Sequence, residues 1–171
     1  MNDPGPTPTI TDLLAEIAAL KREQASLCLA TTGTDGQPEA SHAPFVADDM
    51  GRLYVFVSAL AAHTGNMLAT PSAGALVLDP DSGGRQPFAR RRLVYQCRVE
   101  EIDRETDEFA RRIDDFKARF GNVVDTLRAL PDFRLLRLTP QSGRYIRGFG
   151  QAYEIPEGED AKLRPVMPGN S

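Results

Sequence analysis

The segment from Ser58 to Leu68 carries the densest set of groups able to hold an anion. Ser58 ends an apolar strand-like run, and His63, Thr64 and Asn66 follow it in a short helical pattern. Helix N-termini expose unpaired backbone N–H groups and positive partial charge, to which hydroxyl, imidazole and amide donors add. The same residues read equally well as capping, with Ser58 as the cap and His63 in solvent. A second set is arginine-rich: Arg85, Arg90, Arg91 and Arg92 lie on and beside a Gly/Pro-rich loop that leads into a long strand. Guanidinium forks match phosphate and carboxylate geometry, so a row of them along a groove would hold a phosphate or a propionate. In extended backbone Arg90 and Arg92 share one face and Arg91 takes the other. The plainer alternative is a charged edge that discourages strand-to-strand aggregation. Ser41 and His42, within Ala40-Ser41-His42-Ala43-Pro44, complete the candidate cofactor-binding set. Pro44 places that strand near an edge or a bulge, where a single histidine is more often structural than catalytic.

Other chemistries lack support. The chain has no GxSxG, HExxH, P-loop or GxGxxG segment, which removes the usual basis for hydrolase, zinc protease, NTPase and Rossmann functions. Cys28 and Cys97 each lie in an apolar run without a CxxC or an adjacent histidine, so both are expected as reduced core residues, with no metal site. Aromatic residues are 7% of the chain and do not interleave with the arginines, which argues against a base-stacking surface for nucleic acid. A formal net charge of −4 gives no overall attraction to nucleic acid or anionic membrane, so any anion site must be local.

The elements that would position these residues are mostly strands. Runs at 26–32, 39–47, 53–58 and 73–78 have strand character, and Thr34-Asp35-Gly36 and Asp48-Asp49-Met50-Gly51 supply turn residues between them, which predicts a meander. A long strand over 91–101 alternates Leu93, Tyr95, Cys97 and Val99 against Arg92, Val94, Gln96 and Arg98. Final strands over 133–139 and 143–153 flank a turn at Pro140-Gln141-Ser142. Helical spacing of Leu13, Leu14, Ile17 and Leu20 predicts a helix over 9–24 that Thr9 or Thr11 caps. Phe109, Ile113, Phe116 and Phe120 predict a second helix ending at Gly121, and 122–130 a shorter one stopped by Pro131.

Strands at this spacing with few helices predict a mainly β, antiparallel split barrel with helices at its rim, and do not fit a doubly wound parallel fold. A length of 171 residues, with 41% apolar and 26% charged, suits one domain with a real core. The expected division is a flexible leader over 1–9, a barrel domain over 10–155 and a flexible tail over 156–171. No signal-peptide pattern or apolar run of membrane-spanning length is present, so a cytoplasmic protein without membrane or nucleic-acid partners is expected.

In order and spacing, several short segments together resemble the pyridoxamine 5'-phosphate oxidase-like FMN-binding split barrels, and within them the haem-utilisation (HugZ/HutZ-like) branch. They are Ala40-Ser41-His42-Ala43-Pro44, Ser58 through Leu68, Ala89-Arg90-Arg91-Arg92-Leu93, Leu130-Pro131-Asp132-Phe133 and Gly148-Phe149-Gly150-Gln151-Ala152. The resemblance covers about residues 14–153 and implies a homodimer with two cofactor sites along the subunit interface. It implies FMN held by Ser58, His63, Thr64 and Asn66 at the phosphate and ribityl end, with Arg90 and Arg92 completing the anion site. In the haem-using branch it implies oxidative opening of the porphyrin, with a histidine of the C-terminal tail on the iron. This chain has no histidine after His63, so residues 154–171 cannot supply that ligand, although Met167 is a different one.

The leading expectation is therefore a dimeric FMN flavoprotein, a small oxidoreductase in which the flavin performs the redox step. The alternatives are a haem-binding or haem-degrading iron-utilisation protein using the same groove, and a non-catalytic dimeric ligand-binding module. Haem binding is expected to be weak and without histidine ligation.

Overall fold

A computed structural model describes residues 7–79 and 87–166. Arg85 and Met167 lie outside the described residues, as does most of the expected leader. The chain opens on helix α1 (Ile10–Glu23), where Thr9 and Asp12 form a reciprocal capping box. Leu13, Ile17 and Leu20 share one helical face and enter the core cluster of the barrel.

Strands β1 (Ser26–Thr32), β2 (Pro38–Ala47) and β3 (Leu53–Ser58) pair as an antiparallel meander. Helix α2 (Ala62–Ala69) then carries the chain across the barrel, so that β4 (Ser72–Leu78) pairs with β1 and not with β3. The expected four-strand meander thus stops at β3. Strand β5 (Arg92–Ile102) joins β4, and β6 (Phe133–Gly148) joins β5 and closes on β3. The result is a closed antiparallel barrel in the order β3, β2, β1, β4, β5, β6, extended beyond β6 by β7 (Gln151–Ile155) and β8 (Arg164–Pro165).

β6 is one long strand, where the sequence suggested two strands and a turn. Its first half lies beside β3 and its second half beside β7, and a register shift against Gln96/Cys97 absorbs the irregularity near Pro140. Proline removes a ladder donor and is tolerated at such a bulge, so Pro140-Gln141-Ser142 bends the strand without ending it.

Alternation sorts the side chains. Leu27, Leu29, Ala43, Phe45, Ala75, Val77, Leu93, Tyr95 and Cys97 point inward with α1 and Met67 of α2. Cys28, between Leu27 and Leu29, is exposed, against the expectation of a core residue, because period-two geometry must turn it outward. Cys97 is buried as expected. Helices α3 (Asp107–Phe120) and α4 (Val123–Ala129) cover the outside of β3 and β6, where Phe109, Ile113 and Phe116 pack on Tyr54, Phe56 and Leu135. Burying each of these large side chains is worth about 1.5–3 kcal/mol.

Residues 156–166 were expected to be a loose tail. They form two 3-10 turns and β8, and they seat Leu163 in the core cluster. Asp160 receives a hydrogen bond from the buried Tyr95 hydroxyl and pairs with Lys21 of α1 at 2.7 Å. Charged side chains here are anchors between elements, which composition alone does not reveal. Among the described residues no helix is long and apolar enough to cross a membrane.

Candidate functional site

The sequence-derived candidates fall into two groups at different ends of the barrel. At the α2 end, the Ser58 hydroxyl donates to Asp132 at 2.6 Å and accepts the Leu60 N–H. Thr64 is fully buried, and its hydroxyl donates to the Ser58 carbonyl at 2.7 Å. The cap position of α2 is Ala61, without a side-chain cap, so Ser58 is the tie between this turn and Asp132 and not the helix cap. The Asn66 amide donates to the Thr31 hydroxyl at 3.1 Å and to the Glu39 carboxylate at 3.0 Å.

His63 stands beside Glu39 and His42. Burial pushes its imidazole below the usual range; the Glu39 carboxylate opposes that and His42 adds to it. Its Nε2 is enclosed without a hydrogen-bond partner, as is the Ser41 hydroxyl. Ser41 and His42 are successive residues of β2 and cannot share a site wall: Ser41 turns toward the interior with Glu39, and His42 is exposed on the outer face.

The arginines lie elsewhere. Arg92 opens β5 opposite Leu78, whereas the Asn66 cluster adjoins the row Ala40, Ala30, Gly74, Gln96. From Gln96 to Arg92 along β5 is about 13 Å at strand rise, before the lateral distance is added. One phosphate cannot reach both groups within one chain. Arg91 pairs with the buried Asp79 at 2.9 Å, and Arg90 Nε donates to the Asp79 carbonyl. Arg92 donates to the Arg90 carbonyl and keeps the rest of its fork on the outer side.

The α2 end suits an anion poorly. Thr64 is enclosed, the Asn66 donors are used, and the Glu39 and Asp132 carboxylates would oppose a phosphate.

A more open surface lies on the outside of β2, β1, β4, β5 and β6. One registered row runs His42, Cys28, Leu76, Val94, Arg144, with Ala40, Ala30, Gly74 and Gln96 beside it. His42, Cys28 and Arg144 are exposed. A groove of about 420 Å³ opens at the Arg144 end, lined by Val94, Gln96, Arg144, Glu154 and Arg164. Glu154 accepts from Arg164 at 3.2 Å, while Arg144 makes no hydrogen bond or ion pair among the described residues. At the nearby end of β6, Phe149 is 84% exposed, and Phe88 in the preceding 3-10 turn is 81% exposed. Small residues, an imidazole, a thiol and the Arg144 guanidinium on one sheet face suit a planar apolar ligand with acidic edges.

Cys28, Arg144 and the two phenylalanines were absent from the expected site. Alternation along β1 would have exposed Cys28, but Arg144 becomes part of the face only once β6 is known to be continuous.

A larger cavity, about 1070 Å³, lies at another place, between α1, the β2–β3 turn, α3 and residues 158–161. Several of its charges are already committed: Lys21 to Asp160, Arg112 to Asp115, and Arg119 to carbonyls at the end of α1. It is a structural seam and a weaker candidate than the smaller outer groove.

Comparison with known proteins agrees with the architecture. The sequence model described as pyridoxamine 5'-phosphate oxidase matches residues 13–147. A curated relative, the heme oxygenase HutZ of Vibrio cholerae, is 34% identical over 145 residues, covering 85% of this chain and 81% of that protein. Among solved structures, HutZ of Vibrio cholerae, described as a heme storage protein, superposes with a TM-score of 0.72 at 29% identity, covering 88% of this chain and 98% of that one. ChuZ of Campylobacter jejuni superposes with a TM-score of 0.78 at 26% identity, covering 94% of this chain and 68% of that one.

Proposed function

The chain belongs to the pyridoxamine 5'-phosphate oxidase family, and on that premise we propose that it is a haem-binding protein of iron utilisation, taking haem on the outer face of β1, β2, β4 and β5. The observation that carries this reading is the registered row from His42 and Cys28 to the unpaired Arg144. An apolar macrocycle laid on Leu76, Val94 and the small residues would have iron-ligating side chains at one side. Its propionates would meet Arg144 and Arg92 at the other. Along the sheet, β5 and β6 lie two and three strand spacings from Cys28, about 10 and 14 Å.

FMN is the expectation that loses ground. Its phosphate needs free donors near α2, where Ser58 and Asn66 are bound to Asp132, Thr31 and Glu39 and the His63 Nε2 is enclosed. The relatives named for haem weigh the same way.

Bound haem would supply the redox chemistry by which a porphyrin is opened. The part of this chain is to orient the macrocycle, neutralise its carboxylates and shield one face from water. A second copy of the chain is the proposed cover for the other face, because the outer sheet carries partly exposed Leu76 and Val94 that no described helix covers. Titration of the purified protein with haemin and, separately, with FMN tests the reading. A saturable Soret change, weakened in Arg144→Ala, with no saturable flavin response, supports it; saturable FMN binding without haemin binding refutes it.

A further inference from the structure

Among the described residues, few side chains able to ligate haem iron can be reached from outside. Tyr54, Tyr95 and Tyr145 are fully buried and Tyr153 is 8% exposed. Cys97 and Met67 are enclosed in the core, and burial pushes the Cys97 thiol up to about 12. The His63 Nε2 is shut in by the α2 end. Met50 is exposed but sits in the β2–β3 turn, past the end of the outer face. What remains is one cross-strand pair, Cys28 and His42.

Within that pair the positions differ. Cys28 is on β1, with β2 on one side and β4 on the other. His42 is on β2 where β3 no longer pairs, since the β2–β3 ladder covers only Phe45 to Ala47. The imidazole is therefore exposed at a part of β2 that β3 does not pair, between Ala40 and Pro44. Directly opposite residues in an antiparallel pair have Cβ atoms about 5 Å apart, so an iron above Cys28 is within reach of His42. An imidazole also ligates near neutral pH without giving up a proton, whereas a thiol must lose one.

We propose that His42, at the free edge of β2, is the axial ligand of the haem iron in this chain, in place of a histidine from the C-terminal segment. The inference rests on the haem reading above and adds the residue that holds the metal. Cys28, directly across the strand pair from His42, would be a neighbour of the ligand.

The test is haemin titration of wild type, His42→Gly, Cys28→Ser and His63→Ala, read by absorbance and paramagnetic resonance, with circular dichroism confirming a common fold. Wild type is expected to show a histidine-ligated ferric spectrum. His42→Gly should lose it and bind about tenfold or more weakly, since a lost ligand costs no less than a lost outer-shell partner. Free imidazole should restore the spectrum in that variant, which a merely structural histidine would not allow. Cys28→Ser and His63→Ala should keep it. A wild-type spectrum preserved in His42→Gly, or abolished by Cys28→Ser alone, overturns the assignment while the haem reading stands. Absence of haemin binding in wild type overturns both.

Discussion

Glu39 and Thr31 face each other across the β1–β2 ladder and hold one amide between them: the Asn66 nitrogen lies 3.0 Å from the Glu39 carboxylate and 3.1 Å from the Thr31 hydroxyl. Helix α2 is pinned to the barrel at this point. Asn66→Ala strands two partly buried acceptors and should destabilise the fold by about 1–3 kcal/mol. Asn66→Asp should cost more, since it sets a second carboxylate against Glu39. Urea unfolding midpoints check both, and wild-type stability in Asn66→Asp would contradict the pairing.

Adjacent arginines should separate binding from stability. Arg91 neutralises the buried Asp79, so Arg91→Ala should lower stability by about 1–3 kcal/mol, discounted from a fully buried pair because the guanidinium is partly exposed. Arg92 has no carboxylate partner among the described residues and lies on the outer side. Arg92→Ala should leave the melting temperature near wild type and weaken haemin binding by about 1.5–3 kcal/mol. Equal behaviour of the two variants in paired melting and titration experiments would reject this division.

Residues 156–166 should behave as part of the fold. Gly158 has φ +69°, and a Cβ there would collide with the Pro140 carbonyl. The left-handed conformation alone costs a non-glycine residue about 1–2 kcal/mol, so Gly158→Ala should cost about 2 kcal/mol or more. It should also make the chain after Ile155 more sensitive to limited proteolysis. Unchanged melting and cleavage would show that this segment is not docked.

His63 predicts a pH slope. Its folded imidazole is held below the usual range by burial, so the unfolded chain binds the proton more readily. Stability is unaffected above the ordinary histidine pKa of about 6.5 and declines as pH falls below it toward the depressed folded value. His63→Gln should flatten the loss of melting temperature between about pH 7.5 and 5.5. An identical slope in wild type and variant would assign the effect to other groups.

The parts of this architecture that depend on local pattern were legible in the sequence. Thr9 and Asp12 announced the start of α1, Gly121 ended α3 as a cap, and the alternation of Leu93, Tyr95, Cys97 and Val99 identified the inner face of β5. What depended on long-range pairing was not legible. Nothing local to Pro140 says that β6 continues past it, because the bulge that leaves Gln141 unpaired is defined only by its long-range pairing with Gln96 and Cys97 of β5. The α2 residues looked like an anion cradle because Ser58, Thr64 and Asn66 are donors. Only the fold shows that Asp132, the Ser58 carbonyl and Glu39 already receive those donors. Cys28 sits in an apolar run that suggests burial, yet its alternation with Leu27 and Leu29 turns it outward.

The outer face is proposed to take haem in preference to FMN. Equilibrium dialysis of the purified protein against an equimolar mixture of haemin and FMN, followed by quantification of each retained ligand, tests it most directly. Haem retained in stoichiometric amount with flavin at background is the predicted result. Stoichiometric FMN with haem at background would contradict the account.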